Sequence, residues 1–445
     1  MFQSVTSLLP MLTRIIVILV IFVLFDLYAF QSVKGLTSGL TVIPRRSIRY
    51  FYWALSIGFY VLFILTISGR MNEADRTFRT ITTTIFFALV LSKILMIMPL
   101  LVEDVYRIFN KIFTLIFGKS SALPIENESS KFLVSRKKFI SQISAGIGVV
   151  TFSGLTYGVV KGAHNYKLHK QSIALKNLPK NFNNIKIGHI SDIHSGSFWD
   201  KNAVSKGVEL LMSQKPDIVF FTGDLVNNIA EEMNEYKSIF GKIKAPLGVF
   251  STLGNHDYGD YHQWADKTPN FSRRYSMDKS HMSPLQKKNL EDLIQVHADM
   301  GWRLLMNEHV PLEINGEKIA VLGIENYGNK RGFPKYGIME NAYLNTQEYP
   351  VKLLLSHDPS HWEAEVLNKY KDVDVMFAGH THGAQFGIET AGFKWSPIKY
   401  LYKQWAGLYQ EGNQYLYVNR GFGYLGYPGR LGIRPEVSII SLKNT

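Results

Sequence analysis

The sequence predicts an α/β domain with mixed sheets, set behind a bundle of about four transmembrane helices. Three observations carry that expectation. Four near-continuous apolar runs fall within the first 160 positions. From residue 185 onward, short strand-like runs alternate with helix-spaced ones and then give way to hairpins. Five of the strand-like runs end in aspartate, histidine or asparagine beside glycine or serine.

Composition narrows the function classes. The 445 residues include 28 Phe, 23 Tyr and 7 Trp, enough for a large core and incompatible with a disordered chain. There is no cysteine, which excludes disulfides, thiolate metal sites and a cysteine nucleophile, so any metal must be held by nitrogen and oxygen. The net charge of +13 is unevenly spread. Residues 1–138 hold 16 Lys+Arg against 7 Asp+Glu, and the remainder 33 against 29. The excess therefore sits between hydrophobic runs, where membrane topology accounts for it. Nucleic acid is not expected as the main partner.

The apolar runs are Ile15–Phe30, Tyr50–Ser68, Ile81–Val102 and the Gly- and Ser-rich Phe139–Val160. Each approaches the roughly 20 residues that cross a bilayer. Asp26 and Lys93 interrupt the first and third, and are expected to face other helices or snorkel to the interface. Val105–Phe117 reads as an amphipathic helix on the inner surface. The two intervening stretches with the most Lys and Arg carry eleven, against four elsewhere. That bias places both termini, and everything after the fourth run, outside the cytoplasm. Ser135-Arg136-Lys137-Lys138-Phe139 resembles a twin-arginine export signal, with Lys137 in place of the second arginine; stop-transfer charge is the plainer reading. The expected organisation is a transmembrane region over 1–160, a polar linker over 161–184 and a folded domain over 185–445.

Within that domain, strands are expected at Ile185–Ile190, Asp217–Phe221, Gly248–Leu253, Val351–Leu355, Asp374–Ala378, Tyr415–Asn419 and Glu436–Ser441. Helical spacing marks Lys201–Gln214, Ala230–Ile243, Leu285–Met300 and His361–Asn368. Asn315-Gly316 between two apolar runs signals a hairpin.

The chemistry sits at strand ends, where ligands of α/β sheets gather. In order these are Ser191-Asp192-Ile193-His194, Thr222-Gly223-Asp224, Gly254-Asn255-His256-Asp257, Ser356-His357-Asp358 and Gly379-His380-Thr381-His382-Gly383. In an extended segment the rings of His380 and His382 would fall on one side of the chain. The flanking glycines permit a tight turn and close backbone approach. Each block alone is an ordinary polar turn. Together they supply Asp, His and Asn donors enough for two divalent metals sharing one carboxylate, and such a pair is suited to in-line displacement at phosphorus.

These five blocks, in this order and spacing, resemble the calcineurin-like metallophosphoesterases, and the likeness extends from about Ile185 to Leu442. It is closer to the membrane-attached bacterial phosphodiesterases and phosphatases, whose closing pattern is similar to Arg420-Gly-Phe-Gly…Pro428…Arg430…Pro435-Glu436. The resemblance implies a four-layer α-β-β-α sandwich and points to a bacterial cell membrane, although a related eukaryotic membrane protein has a comparable multi-span front, so the kingdom stays open. It also implies that Asp192, His194 and His382 hold one metal, that Asn255, His357 and His380 hold the other, and that Asp224 bridges them. A hydroxide between the ions would attack phosphorus. His256 would stabilise the transition state or protonate the leaving oxygen, and Asp257 would orient its ring and keep it basic or serve simply as a turn residue. Manganese, iron or zinc suits such donors, with manganese favoured.

The substrate implied is a phosphomonoester, phosphodiester or pyrophosphate, with a lipid headgroup among the choices because of the membrane segments. The alternative is a receptor or transport protein whose phosphoesterase-like domain only binds; the complete ligand set argues against it. Tyr258–Leu285 is an extra segment in which Arg273 and Arg274 would serve as a phosphate clamp or a solvated loop. Trp395, Trp405 and Tyr424 would line a groove, touch the bilayer or belong to the core.

Overall fold

The computed structural model describes residues 2–67, 76–118, 136–266, 279–330 and 332–445. The chain divides into two compact units, Met1–Tyr157 and Gly158–Thr445.

The first unit contains helices α1 (Phe2–Leu36), α2 (Val42–Ile67), α3 (Arg76–Phe117) and most of α4 (Arg136–Val160). Four stretches of these helices are long and apolar enough to cross a membrane. The α3 helix runs unbroken through Pro99 and takes in Val105–Phe117, which is therefore a continuation of the third span and not a separate surface helix. At about 1.5 Å per residue it is longer than a hydrocarbon core of about 30 Å requires. Phe63 stacks on Phe86 at 4.1 Å, joining α2 to α3. The two intramembrane charges find each other: Lys93 Nζ lies 2.7 Å from Asp26 Oδ1, both nearly fully buried. Tyr52 OH donates to the same carboxylate at 2.6 Å, Tyr60 OH also donates to it, and Lys93 donates to Ser56 Oγ at 2.8 Å. Removing one partner strands a buried charge. Lys93→Met is therefore expected to cost ~3–5 kcal/mol of bundle stability, with most recovered in Lys93→Met/Asp26→Asn. Thermal unfolding in detergent checks this.

The second unit is built on two mixed six-stranded sheets. The first has the order β1 (Lys167–Leu175), β14 (Glu436–Asn444), β2 (Lys186–Ile190), β3 (Ile218–Thr222), β4 (Val249–Thr252), β5 (Arg303–Leu304). The second has the order β12 (Gly407–Glu411), β13 (Gln414–Val418), β9 (Val375–Ala378), β8 (Lys352–Leu355), β7 (Glu317–Gly323), β6 (Glu308–Ile314). A short hairpin of β10 (Ile388–Glu389) and β11 (Lys394–Trp395) stands apart. Strands β2 to β5 are parallel, as are β7, β8, β9 and β13, so their carboxyl ends lie along a common edge of each sheet.

The sheets face each other across an apolar layer that includes Ile187, Ile218, Phe220, Val321, Leu353, Val375 and Phe377. Helices α5 (Lys201–Ser213), α6 (Lys237–Phe240) and α7 (Pro284–Asp299) cover the outer face of the first sheet. The short α8 (Met339–Tyr343) and the turn at Trp362–Val366 that leads into α9 (Leu367–Lys369) cover the second. This is the four-layer α-β-β-α arrangement. Asp200 caps α5 through the Ala203 amide, and Ser283 caps α7 through the Gln286 amide.

One expectation is corrected. Residues 161–184 are not a linker: β1 lies within them and pairs in parallel with β14 over nine residues. Its Lys167, His169, Lys170 and Gln171 make it look like solvated chain, but it is an edge strand with Ile173 and Leu175 buried. The expected helix over 230–243 is also broken, into a 3-10 turn at Ala230–Met233 and α6.

Candidate metal centre

The five blocks leave β2, β3, β4, β8 and β9 at their carboxyl ends and converge. Ligating atoms of Asp192, His194 and His382 lie within 4.8 Å of one another, and so do those of Asp224, His357 and His380. His194 Nε2 is 3.0 Å from His382 Nε2, which is 3.3 Å from Asp192 Oδ1. Asp224 Oδ2 stands between the groups, 3.5 Å from His194 Nε2 and 3.2 Å from His357 Nε2. Asn255 Oδ1 joins the second group, 2.9 Å from His380 Nδ1. Buried rings and carboxylates that aim their lone pairs at one another, instead of at separate donors, fit divalent cations held by nitrogen and oxygen.

The backbone is bent to achieve this. Asp192, His194, Asp224, His380 and His382 all have positive φ, between 48° and 71°. Such residues cost about 1–3 kcal/mol each and persist where the surroundings over-determine them. Here the surroundings are closely packed turns. A Cβ on Gly379 would collide with Ser191 Oγ and the Asp192 carboxylate, and one on Gly254 with Asp224. His380 and His382 are accordingly not neighbours on an extended strand; the turn sends one ring to each group. Thr381 faces away, donating from Oγ1 to Trp405 O at 2.7 Å.

A second layer of contacts sets the rings. His357 Nδ1 donates to Thr222 O at 2.6 Å, which turns Nε2 toward Asp224. His380 Nε2 meets Tyr402 OH at 2.8 Å and lies 3.6 Å from Asp358 Oδ2, which leaves Nδ1 for the shared space. Arg430 Nη2 approaches His382 Nδ1 at 3.2 Å. Asn255 Nδ2 donates to Tyr261 OH at 3.0 Å. Of these supporting residues, Arg430 carries a sequence signal in the closing pattern, whereas Tyr402 and Tyr261 carry none.

His256 lies beside the groups, its ring 4.9 Å from that of His194 and 4.5 Å from that of Tyr261. Its Nδ1 donates to Asn227 O at 2.7 Å, so Nε2 is the second proton site of the ring. The expected ring-orienting role of Asp257 is corrected. Its carboxylate accepts from the amides of Asp224, Leu225, Val226 and Gly254 at 2.8–3.3 Å. It ties the β3 and β4 turns together, and the Asn227 carbonyl orients the His256 ring in its place. Arg273 and Arg274 lie outside the described residues. Trp405 and Tyr424 are buried.

Burial pushes the Asp192 carboxyl up to about 7, with Asp224 adding to the effect. Burial lowers His194 to about 3 and His380 to about 4. For His357 burial works in the same sense, but the charge and hydrogen bond of Asp224 push it up to about 10. For Asp224 burial opposes ionisation, yet His357, His256 and His194 hold it well below the usual carboxylate range. The metal-free site thus stores a proton on His357 that a cation must displace. Manganese uptake near pH 8 is expected to release about one proton, and affinity to fall about tenfold per unit from about pH 10 to about pH 7 and more steeply below, where Asp192 also takes up a proton. Calorimetry in buffers of different ionisation enthalpy checks both.

Comparison with known proteins gives consistent matches. Residues 13–163 match the family described as probable calcineurin-like phosphoesterase, transmembrane domain. Residues 185–384 match the family described as calcineurin-like phosphoesterase. The chain is 27% identical over 303 residues to a zebrafish (Danio rerio) transmembrane protein with metallophosphoesterase domain, covering 66% of this chain and 61% of that protein. It is 25% identical over 321 residues to an uncharacterised metallophosphoesterase of Bacillus subtilis, covering 70% and 99%. It is 27% identical over 283 residues to a UDP-2,3-diacylglucosamine pyrophosphatase of Chlamydia muridarum, covering 55% and 81%. The chain thus spans about three fifths of the zebrafish relative and nearly all of the Bacillus one.

Proposed function

Taking as premise that the chain belongs to the calcineurin-like phosphoesterases, with their four-helix transmembrane domain in front, we propose that it is a membrane-attached, dinuclear metal-dependent phosphoesterase. It hydrolyses a phosphomonoester, phosphodiester or pyrophosphate, and the candidate substrates include lipid-linked ones. The observation that carries the reading is Asp224, one carboxylate oxygen facing both ligand groups. Asp192, His194 and His382 would hold one cation, Asn255, His357 and His380 the other, and Asp224 would serve both. When bound, the cations supply Lewis acidity toward phosphoryl oxygens and lower the pKa of the attacking water. The chain's own part is placement. The strained turns fix the donors, Thr222 O and Asp358 with Tyr402 fix the rings of His357 and His380, and His256 presents Nε2 to the leaving oxygen as proton donor.

Nitrogen and oxygen donors without sulfur suit manganese, iron or zinc, and manganese is the ion favoured for activity in vitro. The similarity to a pyrophosphatase named for a diacylated sugar nucleotide supports a lipid-linked substrate. The Lys and Arg bias supports an orientation with residues 158–445 outside the cytoplasm. The test is hydrolysis of bis-p-nitrophenyl phosphate by the purified full chain with added manganese, alongside metal analysis. Activity that chelation removes and manganese restores is expected. A chain that holds no divalent metal and turns over no ester would leave the binding-only alternative standing.

A further inference from the structure

Residues 386–403 run from the metal-binding turn toward β12 and carry β10, β11 and a 3-10 turn at Pro397–Tyr400. Phe386, Ile388, Phe393, Tyr400 and Leu401 are 45%, 53%, 56%, 73% and 64% exposed. Among the described residues of the second unit, they are five of the nine exposed large apolar side chains. Such clustering is unusual for a surface that meets only water. The stretch carries Lys394, Lys399 and Lys403 against one acid, Glu389, which turns inward onto Arg420 at 2.6 Å. Lys399 lies over the Tyr400 ring at 5.1 Å, and Lys403, 75% exposed, pairs with Glu363 at 3.3 Å.

Two sets of contacts within the unit place this stretch. On one side it supports the metal-binding turn: Tyr402 OH reaches His380 Nε2, and Ser396 Oγ donates to Gly383 O at 2.8 Å. On the other it leads to the end of α4. Gly387 N donates to Leu431 O at 3.0 Å, and Arg430 N donates to Gly158 O at 3.0 Å. A Cβ on Gly162 would collide with the Arg430 carbonyl. Gly158–Val160 are the last turn of a helix long and apolar enough to cross a membrane. The apolar stretch is therefore braced, through Arg430 and Leu431, on the place where the chain leaves that helix.

We propose that residues 386–403 are a bilayer-docking face. The five apolar side chains enter the interfacial layer of the membrane, and Lys399 meets anionic headgroups there. The occupant is the lipid surface, because clustered apolar side chains beside an excess of lysine in the same stretch complement an anionic interface. If the phosphoesterase reading holds, the same stretch brings the metal-binding turn to phosphate esters at headgroup depth.

The absence of cysteine allows a clean test. Phe393→Cys, Leu401→Cys and, as reference, Leu344→Cys on an exposed position elsewhere each carry one environment-sensitive fluorophore. The full chain is placed in nanodiscs of phosphatidylcholine and phosphatidylglycerol. Labels at 393 and 401 are expected to be quenched by iodide about fivefold less than at 344, and to be quenched by nitroxide-bearing lipid. Equal iodide quenching at all three positions overturns the proposal. So does shielding from iodide without lipid quenching, which would mean that protein covers the face. As a second readout, Phe393→Ser/Leu401→Ser is expected to lower the ratio of activity on a vesicle-embedded phosphate ester to that on bis-p-nitrophenyl phosphate about tenfold; an unchanged ratio counts against docking. A wild-type chain inactive on both substrates would defeat the phosphoesterase reading, while the labels would still decide the docking one.

Discussion

Replacing Asp224 with alanine is expected to lower kcat/KM on a phosphodiester by about 10⁴-fold or more, which is ~5 kcal/mol of transition-state stabilisation. Its Oδ2 lies 3.5 Å from His194 Nε2 and 3.2 Å from His357 Nε2, while Oδ1 accepts from the His256 amide at 2.8 Å. Its carboxylate thus contacts histidines of both ligand groups and the loop that carries His256. Its loss removes a donor from each cation and the negative charge that offsets them. Elemental analysis should show metal content falling from about two ions per chain to one or fewer. Asp224→Asn, which keeps shape and the amide contact, separates loss of charge from collapse of the turn. Full activity with two bound metals in either variant would refute the assignment.

His256→Ala is expected to act differently. Its Nδ1 is already engaged by the Asn227 carbonyl at 2.7 Å, and it lies beside the donor groups, not among them. Metal content should stay near that of the parent, while kcat falls about 10²–10⁴-fold, the usual contribution of a positioned proton donor. The fall should be smaller for p-nitrophenyl esters, whose leaving group needs little protonation, than for alkyl esters. A variant that loses metal together with turnover would move His256 into the ligand set. A uniform fall across leaving groups would make it an electrostatic stabiliser.

How much was legible in the sequence follows from where the information sits. Strands β2, β3, β4, β8 and β9 are buried on both faces, so they read as short apolar runs, and the residues just after them stand out by contrast. That made Asp192, His194, Asp224, Asn255, His256, His357, His380 and His382 readable as a set. Strand β1 was not readable, because an edge strand with only part of one face covered needs few apolar residues. The sequence leaves Asp257 open between ring and turn, because a carboxylate next to an imidazole in sequence need not face it. The turn points Asp257 at four amides and leaves the ring to a carbonyl 29 positions away. Asp26 and Lys93 were visible as charges in apolar runs, but not as a pair, since 67 residues separate them.

The sequence by itself determined the membrane segments, the α/β class and the donor types, because these follow from local hydropathy, periodicity and residue chemistry. Only the tertiary structure decided which donors meet. Grouping Asp192 with His194 and His382, and Asp224 with His357 and His380, depends on two sheets presenting their carboxyl ends to one space and on left-handed turns that local pattern does not encode. The same holds for Tyr402 on His380 and for the exposed apolar stretch that runs on from the metal-binding turn. Contacts between residues far apart in the chain are set by packing, and packing is a property of the folded whole.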